Sequence, residues 1–170
     1  NETAEVAFEN IEKTGEIKVT KTTVGNINVS GITFNLRGTS DSGRDIDIPA
    51  VTDENGVAIF SEIPIGTYTI YEDEKTVPTA YLVADPQNVT VTYAETKEVP
   101  IENKEKSGSI VVHKTTEGQK NVEGITFYLK GTSDSGRAID IPATTDKDGI
   151  AKFDGVPIGT YMVIEDEETV

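Results

Sequence analysis

The sequence predicts an all-β chain built from two tandem, antiparallel β-sandwich domains. The first observation is an internal repeat: residues 15–77 match residues 108–170 at a constant offset of 93, with 41 of 63 pairs identical and no gap. The second is that apolar and polar residues alternate over short stretches, whereas no stretch has the 3.6-residue period of a helix. A repeat of this length fits one sandwich domain rather than the short unit of a solenoid.

Turn-forming residues divide the first repeat into eight predicted strands. Glycine, serine and aspartate at 38–43 (GTSDSG) and 53–56 (DENG) end two strands, and Pro64-Ile65-Gly66 and Asp85-Pro86 end two others. Between these turns, side chains alternate between two faces, as expected for strands with one buried side. The predicted strands are residues 16–22, 32–37, 46–50, 57–60, 67–72, 81–84, 88–93 and 97–103.

The repeat also sets the predicted domain boundaries. Residues 6–10 (VAFEN) correspond to residues 99–103 (VPIEN) at the same offset, so residues 1–14 are predicted to be the last strand of a preceding repeat. Residues 15–106 form a complete repeat, and residues 107–170 form a second repeat that lacks the counterpart of residues 78–103. A short charged joint, residues 104–107 (KEKS), connects the two repeats, which predicts a stiff string of domains.

The composition excludes several classes of function. A net charge of −15 and a pI near 4.4 argue against nucleic acid or an anionic membrane as partner, because both would repel this surface. Cysteine is absent, which excludes disulfides and thiolate metal sites, and we predict no metal and no cofactor. The sequence has no apolar run long enough for a bilayer and no signal peptide at Asn1, so we expect an excised fragment without membrane contact.

Three polar residues are predicted to face the core at the ends of apolar half-strands. Lys21 shares a face with Ile17 and Val19, because side chains two residues apart lie on the same side of a strand. By the same parity, Glu72 follows the inward residues of strand 67–72, and Asn103 follows those of strand 97–103. Each group alone would be costly to bury, but together they can satisfy one another.

These residues resemble the pattern of the Cna B-type domains, the SpaA-like stalk modules of Gram-positive surface adhesins and pili. The resemblance covers the whole repeat: Lys21 on the first strand, the turn Thr52 to Gly56 (TDENG), the strand Gly66 to Glu72 (GTYTIYE) and the closing Glu102 to Lys104 (ENK). It implies an immunoglobulin-like, prealbumin-like antiparallel sandwich. It also implies a self-formed isopeptide bond in which Lys21 is the nucleophile, Asn103 the electrophile and Glu72 the assisting proton shuttle.

Physical chemistry is compatible with that bond and also with a simpler alternative. An amine attacks an amide only as the neutral base, and burial on an apolar face favours the neutral forms of an amine and a carboxylic acid. A fixed amine beside a fixed amide then reacts at a high effective concentration. The alternative is a buried ion pair between Lys21 and Glu72, with Asn103 hydrogen-bonded to it.

The second repeat supplies Lys114 and Glu165 by the same parity, but no asparagine follows them. We expect residues 1–14 of a neighbouring molecule to add a strand there and to present Asn10 to Lys114, with Glu165 assisting an intermolecular isopeptide bond. The alternative is an unfilled or rearranged sheet edge.

The resemblance implies a mechanical function. We expect a stalk module of an extracellular, cell-wall-anchored adhesin or pilus-like protein, whose anchor lies outside this sequence and whose partners are neighbouring repeats. The alternative is an adhesive module whose loops bind a host matrix protein or glycan, since Gly38 to Arg44 (GTSDSGR) recurs at Gly131 to Arg137. A polymerising pilin would need a sorting signal and a pilin lysine motif, which the sequence does not show. Nothing indicates an enzyme beyond the single autocatalytic step.

Overall fold

The computed structural model describes residues 3–25, 27–119 and 121–170, and in it the chain is all-β, as predicted. Among its described residues, the first repeat contains seven strands, which begin and end close to the predicted turns. The strands are β1 (Thr14–Thr23), β2 (Thr33–Ser40), β3 (Asp45–Val51), β4 (Val57–Pro64), β5 (Gly66–Glu72), β6 (Gln87–Val91) and β7 (Thr96–Asn103).

In the part of the chain that the structure describes, no helix has the length and apolar character needed to span a bilayer.

Two sheets form the sandwich of the first repeat. Their strand orders are β4-β1-β7 and β3-β2-β5-β6. The alternation of apolar and polar side chains gives each sheet one buried face, because every second residue of β1, β5 and β7 is buried while the residues between them are more exposed. The inward side chains of both sheets share one apolar core, which includes Ile17, Val19, Phe34, Leu36, Phe60, Ile63, Tyr68, Ile70, Val89, Val91, Val99 and Ile101.

The pair β1 and β7 runs parallel, in contrast to the antiparallel ladders that join β1 to β4 and β2 to β3 and β5. Three side-chain contacts between β1 and β7 have the same sequence separation of 80 residues: Glu16 with Thr96, Lys18 with Glu98, and Lys21 with Ile101. A constant separation requires two strands that advance in the same direction. The predicted antiparallel sandwich therefore closes with one parallel edge pair.

In the described part of the second repeat there are five strands and a smaller core. It forms a β11-β8 pair and a β10-β9-β12 sheet. No described strand follows β12, and the matching core positions are more exposed: Val163 is 41% exposed, whereas Ile70, its counterpart, is 1% exposed. The strands are β8 (Ser107–His113), β9 (Thr126–Ser133), β10 (Ala138–Thr144), β11 (Ile150–Pro157) and β12 (Gly159–Glu165).

Two predicted elements differ from the structure. Residues 81–84 are not a strand, because Tyr81 makes only an isolated bridge to Glu105 and the backbone amide of Ala84 donates to a side chain instead of a neighbouring strand. The N-terminal segment also has no strand among residues 3–13. Whether it belongs to a preceding repeat stays a prediction.

The chain forms two compact units whose limits differ slightly from those of the repeats. The first contains Val29–Thr76 and Ala84–Ile101 together with the residues up to Thr22. The second contains Glu102–Val170 together with Thr23–Asn28 and Val77–Val83. The loop around Tyr81 and the joint after Asn103 therefore belong with the second unit.

Candidate functional site

Lys21 lies on β1 with its side chain fully inside the first repeat. Its side chain is 0% exposed, and its Nζ donates hydrogen bonds to the backbone oxygens of Thr22 at 2.8 Å and Ile101 at 3.4 Å. Alternation places it there, since Ile17 and Val19 precede it on the same buried face. The amine is thus held in the core and directed towards β7.

The turn at residues 52–56 supports the backbone beside this lysine. The backbone N–H of Lys21 donates to the carbonyl oxygen of Gly56 at 2.7 Å. Gly56 has a φ of +75°, and a Cβ there would lie 2.6 Å from the backbone oxygen of Lys21, so a glycine is required. Asp53 fixes the turn by accepting the N–H of Val57, and this hydrogen bond is the main cause that lowers the pKa of Asp53.

Glu72 lies at the end of β5, opposite Phe34 of β2. Its side chain is 1% exposed, and its Oε1 lies 3.8 Å from Nζ of Lys21. Its Oε2 accepts the backbone N–H of Ala84 at 2.8 Å. The loop after β5 therefore fixes the carboxyl group while its other oxygen faces the amine.

Asn103 is the last residue of β7 and is 0% exposed. It follows Val99 and Ile101 on the inward face, which is the parity predicted from the sequence. Ile101, two residues earlier on the same face, accepts a hydrogen bond from Lys21 Nζ through its backbone oxygen.

The equivalent pair in the second repeat is more open to solvent. Oε1 of Glu165 lies 2.6 Å from Nζ of Lys114, but the two side chains are 33% and 18% exposed. Asn10, the predicted intermolecular partner, is exposed and lies outside any strand. The structure therefore brings Lys114 and Glu165 together and leaves the role of Asn10 as a prediction.

A second polar cluster, which the sequence prediction missed, joins the segment before each repeat to a hairpin of that repeat. In the first repeat, the carboxylate of Glu12 accepts from Oγ of Ser42 and from Nη1 of Arg44 at 3.0 Å. These hydrogen bonds, that from Ser42 first, lower the pKa of Glu12. In the second repeat, Glu105 accepts in the same way from Ser135 and from Nη2 of Arg137 at 2.7 Å.

The sequence did contain a signal for this cluster. Residues 12–15 read EKTG and residues 105–108 read EKSG, so the repeat extends upstream of its first strand. The same offset of 93 relates the serine and arginine of each hairpin, within the recurring GTSDSGR. Because the glutamate, the serine and the arginine recur together at this offset, the sequence could have predicted a contact between the carboxylate and the hairpin thirty residues later.

Comparison with known proteins agrees with this architecture. The model of the family described as "SpaA: Prealbumin-like fold domain" matches residues 15–105 and again residues 108–169. Among curated protein sequences, none matches the chain.

Several solved structures are similar to this chain to different degrees. The Bacillus anthracis TIE protein is 25% identical with a TM-score of 0.60, over 91% of this chain and 28% of that one. A streptococcal ancillary pilin is 19% identical with a TM-score of 0.46, over 90% and 53%. The shaft pilin SpaA of Lactobacillus rhamnosus GG is 14% identical with a TM-score of 0.43, over 89% and 87%. This chain thus spans only part of the first two proteins.

The all-β fold, the two sandwich repeats and the two separate matches to one family model lead to the same assignment. The chain belongs to the SpaA prealbumin-like fold domain family and carries two of its domains in tandem.

Proposed function

We propose that the chain is a stalk segment of a Gram-positive surface adhesin or pilus-like protein, strengthened by an isopeptide bond between Lys21 and Asn103. The observation that carries the proposal is the buried contact of 3.8 Å between Lys21 and Glu72, beside the strand that ends in Asn103. Membership of a family that includes pilin domains supports the mechanical part of the proposal. In this role the chain would be extracellular and wall-anchored, with neighbouring repeats or subunits as partners.

The proposed bond forms by amide exchange. The step requires Nζ of Lys21 to attack as the neutral base, because an ammonium group has no lone pair to donate. Nζ of Lys21 attacks Cγ of Asn103, and the carbon–nitrogen bond of the asparagine amide breaks. Glu72 accepts a proton from the attacking amine and donates one to the departing nitrogen, so one ammonia leaves and one new amide forms.

Intact-protein mass tests the proposal. The purified chain should be lighter than its sequence by one ammonia, and digestion should yield one branched peptide that joins Lys21 to Asn103. Lys21→Ala and Asn103→Ala should each restore the full mass expected for the substituted sequence. An unmodified mass in the folded wild-type chain would leave only the buried ion pair and refute the bond.

An adhesive function receives less support. Its best sequence feature is the recurring hairpin GTSDSGR, but the serine and arginine of each hairpin already bind a glutamate of the same chain. The recurrence of the hairpin is therefore explained by its contact with the segment that precedes each repeat. Arrays of matrix proteins and glycans would test the adhesive alternative directly.

For the second repeat we propose strand addition by another copy, which presents Asn10 to Lys114 and Glu165. The support is the preformed pair at 2.6 Å on an open face, together with an exposed segment in which Val6 and Phe8 alternate with polar or small residues. Wild-type chains should form a ladder on a denaturing gel, and Asn10→Ala or Lys114→Ala should abolish it. Monomers by light scattering, without a ladder, would contradict the covalent linkage.

A further inference from the structure

We propose that the Ser-x-Arg hairpin of each repeat binds the glutamate that precedes the repeat. This contact fastens the segment before each repeat to that repeat. We call the two contacts the latches. The first consists of Glu12 with Ser42 and Arg44, and the second of Glu105 with Ser135 and Arg137.

The chemistry of the second latch selects a carboxylate. One oxygen of Glu105 accepts from the Ser135 hydroxyl, and the other accepts from the Arg137 guanidinium at 2.7 Å. Two acceptor oxygens on one planar group match these two donors, whereas a glutamine would present an NH₂ group to one of them. The Glu105 side chain is only 11% exposed, so water competes weakly for it.

The hairpin is organised to hold these donors. Oγ of Ser133 lies 2.7 Å from Oγ of Ser135 and accepts the backbone N–H of Arg137 at 3.0 Å, and both serines are buried. The first repeat has the same hydrogen bonds, with Ser40 in place of Ser133, although its Ser42 is exposed. The binding site for the glutamate is therefore formed by the hairpin itself.

Backbone hydrogen bonds continue each latch into the sheet. The N–H of Ile158 donates to the carbonyl oxygen of Lys106, and the N–H of Asp134 donates to the carbonyl oxygen of Ile158. The same relay occurs in the first repeat, from Lys13 through Ile65 to Asp41. The joint is thus connected to its hairpin by side chains and by backbone.

The two latches are independent instances of one design. Near the second, the N–H of Lys106 also donates to the carbonyl oxygen of Ala80, and the N–H of Leu82 donates to that of Lys104. In the first latch the same three residue types meet, although the described residues before Glu12 contain no strand. The glutamate contact is the common part, which indicates that it is a property of the repeat.

The latches also have a consequence that rests on the proposed isopeptide bond. Tension that enters the first repeat would pass along β1 only as far as Lys21, where the bond transfers it to Asn103. The stretches outside this bond, before Lys21 and after Asn103, would then carry the load, and each contains one latch. The latches themselves do not require the bond.

Proteolysis with a lysine-specific endoprotease tests the second latch. Cleavage after Lys104 and Lys106 is followed by fragment mass in Arg137→Gln and Ser135→Ala chains, whose cleavage sites are unchanged. We expect Arg137→Gln to raise the initial rate about five-fold, and high salt to raise the wild-type rate but not that of the variant. The matched control is Asp140→Asn, which breaks the exposed pair with Lys130 on the same hairpin and should leave the rate within about two-fold.

Amide hydrogen exchange provides a second readout and also shows whether the variant is folded. In Arg137→Gln the Ile158 amide should exchange faster while amides of the β9–β10 ladder keep their protection. In Arg44→Gln the Ile65 amide should respond in the same way. Unchanged cleavage and unchanged Ile158 exchange in a folded variant would overturn the latch. The same measurements in a Lys21→Ala background separate it from the isopeptide proposal, because the latch should persist there.

Discussion

A chain carrying Lys21→Ala is expected to lose about 4 to 5 kcal/mol of unfolding free energy in its first repeat through the missing cross-link alone. The proposed bond closes a loop of about 80 residues, and this closure restricts the unfolded chain by the entropy given for disulfides of that size. For a domain of this length the loss lowers the midpoint of thermal unfolding by about 20 °C or more. Circular dichroism during heating and urea titration measures both quantities.

Asn103→Ala decides between the cross-link and a simple ion pair. Without the bond, Lys21→Ala would still leave Glu72 buried without its cation, at a cost of about 3 to 5 kcal/mol, whereas Asn103→Ala would cost only about 1 to 3 kcal/mol for hydrogen bonds. With the bond, Asn103→Ala also removes the cross-link and should lose at least about 4 to 5 kcal/mol of unfolding free energy instead of about 1 to 3 kcal/mol. Lys114→Ala is the control, because that lysine lies in the second repeat and its removal should leave the first repeat unchanged.

Much of the fold follows from alternation and turn chemistry. Parity predicts that Lys21, Glu72 and Asn103 face inward, and all three are buried as expected. The pattern could not identify β1 and β7 as parallel neighbours, because alternation determines the face of a strand but not its partner or direction. Residues 81–84 resembled a strand in composition, but their backbone instead holds Glu72 and the joint.

The candidate site was more predictable than the latches for a physical reason. A lysine among apolar residues is conspicuous, because burying a lone charge is costly and demands a partner. Glu12 and Glu105 stand in polar, charged segments, where a carboxylate is the ordinary solvated residue. Only the tertiary contact with the hairpin distinguishes them, and the recurrence of the E-K-S/T-G run was the sole local signal.

Glu72→Gln is expected to give a folded chain in which Asn103 retains its amide nitrogen and no ammonia is lost. The glutamine carbonyl can still accept the N–H of Ala84, so the loop remains fixed, but the side chain can no longer take a proton from the amine or return one to the leaving nitrogen. Loss of general acid–base assistance slows such steps by about 10²- to 10⁴-fold, so intact mass should show the unreacted chain and thermal stability should approach that of Asn103→Ala. Glu165→Gln is the matched control, since it makes the same change in the second repeat and should leave the bond of the first repeat formed. Ammonia loss in Glu72→Gln at the wild-type rate would show that positioning of Lys21 and Asn103 is sufficient and that Glu72 has no part in proton transfer.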